Sequence, residues 1–295
     1  MLSSILHNLH IVVLGGDLRE ITIAAELAAR GAKVSLLGFD LYQGEIYSKI
    51  HKGLPEKAEV VILPLPGIFP DHSIYAPYSA EKIDIFSIEY LLQPKIKLFC
   101  GKMPELTLQY LQKLGVKVLL TANLPEVAIY NAVPTAEGAV ETAMREAKIT
   151  IFGSSILITG FGRCAKYLAR ILKALGASIT IAARKKEDLV EALTFGYQGI
   201  NLAKIPAYAA EYDFIFNTVP SLVLTEQVLA QLKKDALIFD LASSPGGTDF
   251  AAAEKLGIRA QLLPGLPGKA APVSAGKKLT EIYLYYLEEE KGGKQ

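Results

Sequence analysis

From residue 156 the chain reads Ile-Leu-Ile-Thr-Gly-Phe-Gly-Arg-Cys-Ala, with glycines at 160 and 162 and a small residue at 165. An apolar run, this Gly-x-Gly-x-x-Ala spacing and a following helical periodicity form the junction that a bound pyrophosphate requires. Gly160 permits a tight turn, Gly162 lets the backbone approach the anion, and Ala165 allows close helix–strand packing. The helix N-terminus then offers free N–H groups to the phosphates. Gly160, Phe161, Gly162, Arg163 and Cys164 are therefore candidate cofactor contacts; a tight turn without a ligand is the alternative.

About 20 residues further on, an NAD site carries a carboxylate for the ribose 2′-hydroxyl, but here Ala182-Ala183 is followed by Arg184-Lys185-Lys186. A carboxylate would repel a 2′-phosphate, whereas Arg184 can clamp one bidentately and Lys185 can add charge. These residues predict NADP over NAD, with a solvated basic helix start as the other reading. Three later segments fall where strands should end, the location of ligands in open parallel sheets. They contain Thr218, Val219 and Pro220, then Leu241 and Ser243, then the Gly/Pro-rich run from Leu263 to Lys269. Each is also readable as an ordinary turn.

Near the start, Gly15-Gly16-Asp17-Leu18-Arg19 occupies another strand-to-helix position. The charges of Asp17 and Arg19 stand where a close phosphate approach wants small residues, which leaves substrate contact or an internal ion pair. In Asn131-Ala132-Val133-Pro134-Thr135-Ala136-Glu137-Gly138, Thr135 is expected to cap a helix running to about Ala147. Glu137 would then either face a cleft or complement the helix dipole. The four histidines and the two cysteines, Cys100 and Cys164, have no metal-ligand spacing, so no metal site is expected. A formal net charge of +1 gives no footprint for nucleic acid. No secretory leader and no run near ~18 apolar residues is read, so a cytoplasmic protein without a membrane span is expected.

The elements that must hold these residues alternate. Strands are expected at Ile11–Leu14, Lys33–Leu37, Val60–Leu63, Lys97–Cys100 and Val116–Leu120, then at Ile156–Thr159, Ser178–Ala183, Phe214–Thr218, Ala236–Leu241 and Arg259–Leu263. Helices are expected over 20–30, 163–175, 186–195, 225–232, 250–256 and 275–290, and a long loop or lid over 64–77. The fold class is α/β, with two doubly wound parallel-sheet domains, the second a Rossmann dinucleotide-binding domain. The expected boundaries are 1–133 for a flavodoxin-like substrate-side domain, 134–274 for the NADP domain, and 275–295 for a C-terminal helix able to pack back on the first.

Together Gly15-Gly16-Asp17-x-Arg19, the connector from Asn131 to Ala139, Gly160-Phe161-Gly162-Arg163, Ser244-Pro245-Gly246-Gly247-Thr248-Asp249 and the 263–269 run resemble the family of the dipicolinate synthase A subunit over nearly the whole chain. Cys164-Ala165 stands where that family pattern has Thr-Gly. The resemblance implies oxidation of a dihydro- or hydroxytetrahydro-dipicolinate to dipicolinate, with NADP accepting hydride. It further implies a flavoprotein-like partner, the B subunit of dipicolinate synthase, and a place in the mother cell of a spore-forming bacterium; a homo-oligomeric chain is a separate expectation. Arg19 and Lys269 are then candidates for the two substrate carboxylates, and Asp17 or Glu137 for the proton acceptor. Rival readings are a dehydrogenase of the alanine or methylenetetrahydrofolate type and a non-catalytic nucleotide-binding regulatory chain.

Overall fold

The computed structural model describes residues 6, 7 and 9–292, with backbone alone for 289–292. The chain divides into two compact units, residues 1–130 with 271–295, and residues 131–270. In the first unit, strands β1 (His10–Leu14), β2 (Lys33–Leu37), β3 (Ile50–His51), β4 (Val60–Ile62), β5 (Lys97–Cys100) and β6 (Lys117–Leu120) form one parallel sheet in the order 3-2-1-4-5-6. Without the two-residue edge strand β3 the order is that of a flavodoxin-like sheet. The central strands are buried apolar runs because helices cover both faces: Ile11, Val12, Val13, Val60, Val61 and Ile62 are all closed to solvent. Helix α1 (Leu18–Ala29) and helix α2 (Glu105–Lys113) belong to this unit. Residues 64–77 form a loop folded on itself by the Ile68–Ile74 bridge and tied to the glycine turn by the Gly16 N–H donating to Tyr75 O.

Helix α3 (Pro125–Glu146) carries the chain from one unit into the other. It begins ten residues before the expected cap at Thr135 and runs through Pro134 without ending. Pro125 sits at the helix start, where a missing N–H costs nothing, and the buried stripe of Ala132, Ala136, Ala139, Val140 and Ala143 continues across the proline. Packing along that stripe outweighs the single hydrogen bond that Pro134 removes. Thr135 consequently turns its hydroxyl back to Asn131 O at 2.6 Å instead of capping.

In the second unit, β7 (Ser155–Thr159), β8 (Ser178–Ala183), β9 (Gln198–Asn201), β10 (Phe214–Asn217), β11 (Leu237–Asp240) and β12 (Arg259–Leu262) repeat the topology, in the order 12-11-10-7-8-9. Its helices are α4 (Arg163–Ala174), α5 (Lys186–Thr194), α6 (Ile205–Tyr208), α7 (Glu226–Leu229), α8 (Phe250–Leu256) and α9 (Leu266–Ala270). Two expectations change in this unit. The helix expected over 225–232 is the single turn of α7, and the Gly/Pro-rich run after β12 is not all turn, since its last residues, Lys269 among them, are in α9. The last helix, α10 (Pro272–Gly292), belongs to the first unit, where Leu279, Ile282, Tyr283, Leu284 and Leu287 join the core of β1 and α1. The expectation for residues 293–295 lies outside the described residues.

Candidate functional site

In a sheet of this order the topological switch point lies between its first and fourth strands, here β7 and β10, and ligands sit outside the carboxyl ends of that pair. The turn leaving β7 is Gly160-Phe161-Gly162, with Gly160 at φ 81°. A side chain at Gly160 would be strained in that conformation, and its Cβ would lie 2.8 Å from Thr218 Oγ1. Gly162 caps α4 with no side-chain hydrogen bond, and the space where its Cβ would stand is open to 4 Å. The N-terminus of α4 is thus left without a side-chain cap beside open space, the arrangement in which a phosphate can replace a cap. Phe161 is buried, with Lys166 Nζ 5.3 Å from its ring centroid. Burial pushes the Cys164 thiol up to about 12, so it stays a neutral group beside any anion.

A buried polar ladder fixes the neighbouring strand ends, and it was not among the residues singled out from the sequence. The Thr159 hydroxyl donates to Asn217 Oδ1 at 2.5 Å, and the Asn217 amide donates to Asp240 Oδ1 at 2.8 Å. Asn217 also binds both the N–H and the carbonyl of Val219, each at 3.1 Å, which sets the course of Thr218-Val219-Pro220. Asp240 accepts from the Ala242 and Gly247 N–H groups and from the Thr248 hydroxyl, holding the loop that carries Leu241 and Ser243. All three ladder residues are fully buried. A Cβ at Gly247 would come within 2.5 Å of Val219 O, so the two loops meet too closely for any side chain there. Thr218, Val219, Leu241 and Ser243 thus line one preformed edge with Pro220, while Arg184 and Lys185 follow β8 exposed and without an ion pair among the described residues.

The first unit treats its own glycine turn differently. Asp17 caps α1, and the Glu20 carboxylate accepts the Asp17 N–H at 2.8 Å, completing a capping box. The Arg19 guanidinium, only 4% exposed, donates Nε and Nη2 to the two oxygens of Asp17 at 2.9 and 2.8 Å. Its Nη1 donates to no described residue. Burial works against the charge of Arg19, but its bonds to Asp17 and the fields of Glu20 and Asp17 more than offset that, so its pKa is raised. Burial also lifts Glu20, to about 7, against the pull of Arg19 and with the help of Asp17. Of the two readings open for Asp17 and Arg19, the ion pair is present. Glu20 was not singled out from the sequence, although Asp17-x-x-Glu20 has the spacing of a capping box; its burial leaves no local signal.

Glu137 and Lys269 both line a cavity of 590 Å³ in the second unit, with Glu141, Arg145 and Gln261. Glu137 stands in the middle of α3 and not in a first helical turn, so complementing the helix dipole is no longer its alternative role. It is exposed, as is Lys269. A side chain at Gly138 would bring its Cβ to 2.8 Å from Ala270, and this close approach is what seats α9 against α3. Among the described residues no group of His, Cys, Asp and Glu could hold a metal, and no helix is long and apolar enough to cross a membrane.

Two doubly wound sheets, the second with an uncapped glycine-rich phosphate loop, define the class of two-domain dehydrogenases that bind a nicotinamide dinucleotide. Residues 127–245 match the NAD-binding domain of the D-isomer specific 2-hydroxyacid dehydrogenases, and residues 10–122 match the N-terminal domain of the dipicolinate synthase A subunit. Over its length the chain is 32% identical to the A subunit of dipicolinate synthase from Bacillus subtilis, covering 96% of this chain and 97% of the relative. It superposes on the crystal structure of the Bacillus halodurans protein of the same name with a TM-score of 0.87, at 32% identity and covering 96% and 99% of the two chains. For the crystal structure of the Bacillus subtilis protein the values are 0.85, 30%, and 98% and 99%. The chain belongs to the dipicolinate synthase A-subunit family.

Proposed function

We propose that this chain is the NADP-dependent dehydrogenase component of a dipicolinate synthase. It would oxidise dihydrodipicolinate, or its hydroxytetrahydro precursor after loss of water, to dipicolinate. The observation that carries the reading is the uncapped N-terminus of α4 behind Gly160 and Gly162, followed by the exposed Arg184 after β8. The open space at Gly162 and the free N–H groups suit a pyrophosphate, and Arg184 with Lys185 suits a 2′-phosphate, so the residues fit the cofactor. When bound, NADP supplies the hydride acceptor. Phe161, Arg163 and Cys164 would hold the phosphate end of the cofactor, and Thr218, Val219, Pro220, Leu241 and Ser243 would form the wall beside it.

The substrate loses one hydride and one proton, and its ring becomes aromatic. The protein's tasks are to orient a dianion and accept that proton. Each unit carries a pair suited to them: Asp17 with Arg19 on the first, the substrate-side unit, and Glu137 with Lys269 on the second. In each pair the cation can meet a substrate carboxylate and the acid can take the proton. The flavoprotein-like B subunit of dipicolinate synthase is the proposed partner. A homo-oligomer in the cytoplasm of a spore-forming mother cell goes with the same reading.

The test supplies the purified chain, with and without that flavoprotein-like partner, with the product of dihydrodipicolinate synthase and NADP, and follows NADPH and dipicolinate together. Matched formation of the two is expected. NADPH binding without turnover in either arrangement would overturn the dehydrogenase assignment.

A further inference from the structure

Among the described residues, three buried side-chain oxygens of the first unit make no hydrogen bond of good geometry: Glu20 Oε1, Thr121 Oγ1 and Tyr283 Oη. They come from three different elements. Glu20 is in the first turn of α1, Thr121 directly follows β6, and Tyr283 is on α10. All three residues are fully closed to solvent. Tyr283 lies in the field of Glu20 and Arg19 and within reach of the Thr121 hydroxyl, and burial with the Glu20 charge raises its phenol well above the usual range. Helix α10 seals the cluster, lying so close on α1 that a Cβ at Gly276 would be 2.7 Å from Arg19 O.

A capping-box glutamate is ordinarily a surface residue, and one oxygen facing water costs nothing. Here the second oxygen is enclosed and has no hydrogen-bond partner among the described residues. An ionised carboxylate in such a place keeps most of its desolvation cost, with one oxygen left without a donor, whereas the neutral acid carries far less of that cost. The titratable groups facing Glu20 are Asp17 and Arg19 from its own helix, with Tyr283 from α10; Tyr75 of the 64–77 loop lies in the field of all three α1 groups, and Cys100 of β5 faces Tyr283. Arg19 is the only cation among them, and Asp17 already holds two of its donors.

We propose that Glu20 is a positioning residue for the Gly15–Arg19 turn, and that its protonation state decides how fully Arg19 is available to a substrate carboxylate. With Glu20 neutral, Arg19 answers to Asp17 alone and its Nη1 is open to an incoming anion. With Glu20 ionised, a second buried carboxylate draws on the same guanidinium and repels a dianion. Affinity for a dicarboxylate therefore falls as pH rises through neutrality. This rests on the reading of Arg19 as a substrate contact.

The test measures binding of dipicolinate itself to the whole chain, wild type and Glu20→Gln, from about pH 6 to about pH 8.5, with pH-difference infrared spectra of both. The wild-type Kd is expected to weaken about fivefold or more across the range, the scale of ordinary site–site coupling, while Glu20→Gln stays flat at the tighter value. The wild type is expected to lose the carbonyl band of a protonated carboxyl over the same range, and Glu20→Gln to lack that change. A parallel pH dependence in the variant overturns the positioning role alone, even if the variant changes thermal stability, because a structural role would not flatten the profile. Absence of the titrating band in the wild type overturns it without reference to the variant. Failure of the wild type to bind dipicolinate at any pH overturns the dicarboxylate reading and this role together.

Discussion

The two glycine turns, Gly15-Gly16-Asp17 and Gly160-Phe161-Gly162, leave equivalent first strands of sheets with the same strand order, yet one is closed and the other open. In the first unit Asp17 supplies the anion that the N-terminus of α1 attracts, Glu20 returns the capping bond, and Arg19 balances the charge. In the second, no side-chain hydrogen bond caps α4 among the described residues. A doubly wound sheet thus offers a dipole and free N–H groups at each such turn, and the residue at the cap decides whether that place is spent internally or left for a phosphate.

Breaking the closed turn is expected to have the largest effect. Asp17→Ala leaves Arg19 buried and unpaired, and the loss should be about 3–5 kcal/mol of stability, read as the shift of a urea or thermal transition. A variant as stable as wild type would mean that the pair contributes nothing to holding the turn. The acid beside it should respond with the opposite sign. The folded chain binds a proton at Glu20 more tightly than the unfolded chain, so the stability this supplies is present at low pH and lost as pH rises through about 7. Glu20→Gln should therefore match the wild type near about pH 4, below the unfolded value, and exceed it by up to about 3 kcal/mol near about pH 8.5. Denaturation curves at the two pH values check this, and an equal difference at both would contradict it.

Closing the open turn sharpens the comparison from the other side. Gly162→Asp introduces a cap into empty space, so α4 should gain roughly a few tenths of a kcal/mol while NADPH affinity falls about 100-fold or more, since the new carboxylate stands where phosphate must. Calorimetric titration beside a melting curve separates the two effects. Arg184→Ala should act more gently, lowering the preference for NADPH over NADH about tenfold, the worth of one charged hydrogen bond. An unchanged ratio would remove the basis for NADP.

Much of this architecture was legible because buried parallel strands are short apolar runs between glycines. Lys33–Leu37, Lys97–Cys100 and Ser178–Ala183 begin and end where their composition says. The edge strands Ile50–His51 and Gln198–Asn201 were not read, since strands half open to water carry no such run. Thr135 was read as a helix cap where packing along α3 carries the helix straight through Pro134. The phosphate loop was visible as a local spacing, but the ladder of Thr159, Asn217 and Asp240 joins residues 58 and 23 positions apart, which only strand order brings together. Likewise Asp17-x-x-Glu20 is a local signal, while the burial of Glu20 depends on a helix more than 250 residues later in the chain, α10 at Pro272–Gly292.

The most direct measurement titrates the whole chain with NADPH by calorimetry, comparing wild type, Gly162→Asp and Glu20→Gln. One site per chain is expected in the wild type, kept in Glu20→Gln and lost in Gly162→Asp. A second site per chain, or a site that survives the cap at 162, would contradict the account of one closed turn and one open one.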